Sequence, residues 1–194
     1  IASILACIPL PFYYSFTNAY LNEVGVSNAA GKMTLGQVSE IGMMLLMPLV
    51  FRLATVRWIL LVGLLSWAAR YVLLAYGDPG PGVWMFYLAI IMHGVCFDFF
   101  FVTGQLYTDQ QAPPHLRSTA QGFITAMTYG VGMLVGSLLS GGVLDYFSKT
   151  AADGTITRDW TAFWLTSASM SFAIMLLVLF FFRTNARIRA KEAG

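Results

Sequence analysis

Long apolar runs, broken by short clusters of Gly, Pro and charged residues, set the pattern of this chain. A helix crossing a hydrocarbon core of ~30 Å needs roughly 20 mostly apolar residues. Six stretches meet that length: Ala2–Leu21, Thr34–Phe51, Arg57–Tyr76, Val83–Tyr107, Thr119–Phe147 and Ala162–Arg183. The fifth is long and Gly-rich, which predicts a tilted helix. Pro9 and Pro11 predict a break or bend in the first, because proline cannot donate a backbone hydrogen bond. Turn-rich segments separate the runs, among them Gly77-Asp78-Pro79-Gly80-Pro81-Gly82 and Asp109-Gln110-Gln111-Ala112-Pro113-Pro114. Backbone groups in lipid must be satisfied internally, which leaves helices or a closed barrel. The alternation of a strand is absent over these runs, so the pattern predicts an all-α membrane protein. Residues 1–183 form a six-transmembrane-helix bundle in this reading, and 184–194 a basic cytoplasmic tail.

Composition strengthens that prediction. Hydrophobic residues make up 58% of the chain and charged residues 10%, against about 25% charged residues in a soluble domain. A net charge of +2 gives no electrostatic footprint for nucleic acid. Cys7 and Cys96 lie in apolar runs without ligand spacing, so neither a disulfide nor a metal site is expected. Charge placement also orients the bundle. Arg52, Arg57, Arg117, Arg183, Arg187, Arg189 and Lys191 fall on one side, and Lys32, Lys149 and Arg158 on the other. Positively charged loops stay inside the cell, which predicts a cytoplasmic C-terminus. The first residue is Ile1, already within an apolar run, and the expectation is a chain cut from a longer protein.

An ionisable group at membrane depth is costly unless it is paired or lines water, so each is a functional candidate. Four qualify: Glu40, Arg70, His93 and Asp98. The carboxylates are candidate proton carriers. Gln37 and Glu40, three apart, share a helix face that Met44 continues. His93, Phe97 and Phe101 follow one another at intervals of four, with Asp98 beside that stripe. Tyr14, Ser15 and Asn18 add hydrogen-bonding groups on the first span. Amides and hydroxyls beside aromatic rings suit a flat, polar, uncharged solute. The same residues also have structural readings. Arg70 could neutralise Asp98 or Glu40, His93, Asn18 and Gln37 could link helices, and Phe97 and Phe101 could be packing residues. Gly132, Gly136 and Ser140 form a small-residue series for close helix contact.

Five stretches carry a further signal: Phe12–Gly25, Gly31–Glu40, Trp67–Pro79, His93–Gln105 and Arg117–Gly122. In these the chain resembles the C-terminal six-helix half of a twelve-helix major facilitator superfamily transporter, and within it the bacterial nucleoside:proton symporter family. The resemblance implies proton-coupled nucleoside uptake across the bacterial inner membrane by alternating access. Its partners would be a nucleoside, protons, the bilayer and a missing N-terminal six-helix half, with no cofactor. It implies substrate binding by Ser15, Asn18, Gln37, Glu40, His93 and Phe97, and proton coupling by Glu40, Asp98 and Arg70. His93 stands where the family pattern has a tyrosine, and Ser15 where it has a longer amide. The loop Arg52–Arg57 lacks the Asp and Gly of the superfamily's basic loop. The alternatives are a carrier for another polar solute such as a sugar, or a non-transporting receptor or assembly subunit. No HExxH or GxSxG motif points to an intramembrane enzyme.

Overall fold

The computed structural model describes residues 2–184 together with 186 and 188. Ile1 and the tail residues Arg187, Arg189 and Lys191 lie outside the described residues. The first span is split, as its prolines predict, into α1 (Ala2–Cys7) and α2 (Leu10–Glu23). The second, α3 (Ala29–Leu53), begins five residues before the expected start. The Asn28 side chain accepts from the Gly31 backbone N–H and caps it ahead of the apolar run. The third, α4 (Val56–Tyr76), lies where hydropathy placed it.

The fourth and fifth spans are compound. The fourth joins α5 (Val83–Ile91), α6 (His93–Phe97), a π-helical turn (Asp98–Val102) and α7 (Thr103–Gln111). The fifth joins a 3-10 turn (Pro114–Leu116), α8 (Arg117–Thr125), a second π-helical stretch (Ala126–Gly132) and α9 (Met133–Tyr146). The sixth, α10 (Trp160–Phe181), ends two residues before Arg183. Among the described residues five of these helical stretches are long and apolar enough to cross a membrane, and the first stretch, split into α1 and α2, packs with them. A short hairpin, β1 (Ser148–Thr150) with β2 (Ile156–Arg158), precedes α10. Its Asp153 carboxylate accepts from the Thr155 N–H and hydroxyl, which hold it below the usual carboxylate range. Arg158 ties the hairpin to Glu23 at 2.7 Å.

Packing follows residue size. α4 and α10 pack along their lengths. One aromatic core joins Tyr20, Tyr71, Phe86, Trp160, Phe163 and Trp164; a second joins Trp67, Phe100 and Phe101 with aliphatic residues of α4 and α10. The split in the first span is tied down twice. The Tyr71 hydroxyl donates to the Pro9 carbonyl at 2.6 Å, tying α4 to the start of α2. Gly132 and Gly136 let the fifth span press against the same break, since a Cβ at Gly132 would come within 2.6 Å of the Cys7 Cβ and one at Gly136 would strike the Ile8 carbonyl. The small-residue series thus works as a packing surface. By contrast α3 and the fifth span are only 17% buried, against 61% for α4.

Candidate functional site

The polar interior is built where α2, α3, α4 and α6 converge on His93. Close approach of backbones makes this possible. A Cβ on Gly94 would sit 2.5 Å from the Ser39 carbonyl, and one on Gly36 would sit 3.3 Å from the His93 Cβ. At the crossing the Gly94 N–H donates to the Ser39 hydroxyl at 3.0 Å. Glu40, the next residue on α3, is thereby placed against the fourth span. Its Oε2 lies 3.5 Å from His93 Nε2, and its side chain is 26% exposed. The Tyr14 hydroxyl of α2 lies 3.4 Å from the same nitrogen. On the other side of the ring, Arg70 Nη1 is 3.1 Å from His93 Nδ1.

Arg70 is fully buried, and a charge in that position demands compensation. The Tyr13 ring supplies part of it, with the guanidinium carbon 3.2 Å from the ring centroid. His93 supplies the hydrogen-bond acceptor, while Arg70 Nε and Nη2 have no partner among the described residues. The considered ion pair of Arg70 with Asp98 or Glu40 is therefore corrected: His93 intervenes, and the described ion pairs do not include Arg70. Helical geometry gives the reason. His93 and Asp98 are five residues apart, about 140° around the axis, so a side chain that reaches one does not reach the other. Asp98 is itself fully buried, with no hydrogen-bond partner for either carboxyl oxygen among the described residues. It opens the π-helical turn, a feature frequent at functional sites.

The remaining candidates lie around this centre. Phe97 is partly buried and packs between His93 and Phe101, at 5.8 Å and 4.9 Å between ring centroids. Tyr129, from the π-helical stretch of the fifth span, stacks on Phe101 at 5.2 Å. Asn18, one turn beyond Tyr14, approaches the Met33 sulfur and accepts from the Asn22 amide. Ser15 and Gln37 are exposed and not drawn into the cluster. His93, expected to touch a solute, is only 2% exposed, with Tyr14 and Glu40 over its outer nitrogen. Reasoning from sequence passed over Tyr13, Ser39 and Tyr129. Tyr13 and Ser39 precede singled-out residues, but their neighbour-specific roles depend on helix crossings that local spacing does not encode.

The family described as Nucleoside H+ symporter matches residues 1–187. The chain belongs to that family. YegT of Escherichia coli (strain K12) is 41% identical over 94% of this chain and 44% of its own length. The xanthosine permease of the same organism is 33% identical over 89% of this chain and 40% of its own. The crystal structure of the nucleoside transporter NupG, in a mutant form, superposes with a TM-score of 0.85 at 28% identity, covering 94% of this chain and 47% of that one. The six-helix membrane bundle expected from hydropathy is thus a major facilitator bundle. The chain spans less than half the length of these curated relatives. Within this nucleoside H+ symporter bundle, Tyr14 and Glu40 border the outer nitrogen of His93, with Phe97 packed beside its ring.

Proposed function

We propose that this bundle forms one wall of a proton-coupled nucleoside carrier of the bacterial inner membrane. The observation that carries the reading is the meeting of four spans at His93, where Tyr14 and Glu40 border the open side of an otherwise apolar bundle. Gln37, Asn18 and Ser15 offer hydrogen bonds to ribose and base edges, Phe97 offers a ring face, and Glu40 joins solute binding to proton exchange. A buried polar side chain in a membrane is best explained by such a pathway. Asp98, buried with no hydrogen-bond partner among the described residues, is the second candidate proton carrier. The names of the relatives point the same way: a xanthosine permease and a nucleoside transporter. The opposite wall would be a second six-helix half, in keeping with alternating access between repeats.

The test is uptake of radiolabelled uridine and xanthosine by cells making the full-length carrier, with and without a protonophore. Wild-type uptake is expected to collapse on adding protonophore, and Glu40→Gln to reduce it at least about tenfold, as losing a charged hydrogen-bond partner does. Uptake indifferent to both treatments would overturn the coupling.

A further inference from the structure

His93 carries two nitrogens in two different surroundings, and the chemistry of one dictates the other. A guanidinium has five N–H donors and no acceptor. Arg70 Nη1, 3.1 Å from His93 Nδ1, therefore donates, and Nδ1 must present its lone pair. The single proton of the neutral ring then sits on Nε2. That nitrogen faces Glu40 Oε2 at 3.5 Å and the Tyr14 hydroxyl at 3.4 Å. The ring cannot turn over freely: Tyr13 stacks on it at 5.7 Å, Phe97 packs at 5.8 Å, and Gly36 brings the α3 backbone against its Cβ.

We infer that Arg70 locks His93 as the neutral Nε2–H tautomer, making His93 a fixed donor that holds the Glu40 carboxylate at the edge of the solute pathway. Arg70 and His93 are then positioning residues acting through Glu40. His93 is not a proton carrier, because a permanent cation occupies the lone pair that would receive the proton. The series from arginine to imidazole to carboxylate runs from the bundle's interior to its open side, which explains a fully buried arginine with no carboxylate partner among the described residues. The inference rests on the proposal that Glu40 contacts the solute, but its central element can be measured without any solute.

The experiment has two arms, both on the full-length carrier in lipid. In the first, solid-state NMR of 15N-histidine-labelled protein compares wild type with His93→Gln, whose difference spectrum isolates His93. The expected result is a protonated Nε2 and an unprotonated Nδ1; a protonated Nδ1 overturns the inference. In the second, uptake kinetics compare His93→Gln with His93→Leu. Glutamine can accept from Arg70 and donate to Glu40, so its KM should stay near that of wild type. Leucine does neither, and KM should rise about tenfold with folded protein retained, the loss typical of one hydrogen bond to a charged group. Equal KM values for the two folded variants would overturn the positioning role. If His93→Leu does not fold, the tautomer measurement decides. Failure of wild type to take up any nucleoside would refute the transport reading and leave the tautomer result standing.

Discussion

Gly94 is the residue on which the site's geometry depends most directly. It is buried at the crossing of α3 and α6, where an added methyl would meet the Ser39 carbonyl at 2.5 Å and the Glu40 nitrogen at 2.8 Å. Both are backbone atoms and cannot swing aside. Gly94→Ala is expected to cost about 1–3 kcal/mol, the usual penalty for overfilling a packed interior, seen as a lower melting temperature of the purified carrier. Unchanged stability would mean that α3 and α6 are not in this contact. At this scale the sequence told much about which residues matter and little about their partners. Glu40, Arg70, His93 and Asp98 stood out because charge at membrane depth is rare. That Arg70 would choose an imidazole and a Tyr13 ring over a carboxylate depends on the angle between α4 and α6, which spacing along one helix does not contain.

Among the elements, the split first span shows how local and tertiary signals combine. Pro9 and Pro11 predicted the break, but not the side chain that stabilises it. Tyr71 does so through its hydroxyl on the Pro9 carbonyl. Tyr71→Phe would remove that bond while the Pro9 carbonyl keeps its place as the first acceptor of α2, and is expected to cost about 0.5–1.5 kcal/mol. Thermal unfolding in detergent measures it, and a melting temperature equal to that of wild type would contradict the assignment. The two π-helical segments had no local signature, since a π turn uses the same φ/ψ region and the same apolar residues as the helix around it. The hairpin was also missed. Its strands are three residues each and polar, too short for a period to register. Helix cores were legible because a twenty-residue apolar run has few alternatives in lipid. Helix ends shifted, as in α3, where a cap lies outside the hydropathy window.

For the whole molecule, the charge pattern predicts an orientation across the membrane. Arg52, Arg57 and Arg117 lie at one end of the bundle's helices, and the hairpin with Asp153 at the other. The positive-inside rule predicts that the hairpin lies outside the cell. A cysteine replacing Asp153, which is fully solvent-exposed, should react with a membrane-impermeant maleimide in intact spheroplasts. One replacing Ser118 should react only after lysis. The native Cys7 and Cys96 are fully buried and should stay silent. The reverse labelling pattern would invert the topology. The uneven burial of the spans has its own meaning at this scale: α3 and the fifth span, at 17%, are the sparsely covered elements, and α3 carries Glu40.

The Ser39–Gly94 bond, described above as a local contact, has a mechanical consequence. Alternating access requires parts of a carrier to rock against one another, and any slack between Glu40 and His93 would let the carboxylate lose its partner during the stroke. Because the hydroxyl of Ser39 accepts from the backbone beside His93, and Gly94 leaves no gap, α3 and the middle of the fourth span are expected to move as a single strut. The carboxylate and its imidazole would then travel together. In the alternating access proposed above, what changes would then be what faces them across the pathway, not the distance between the two.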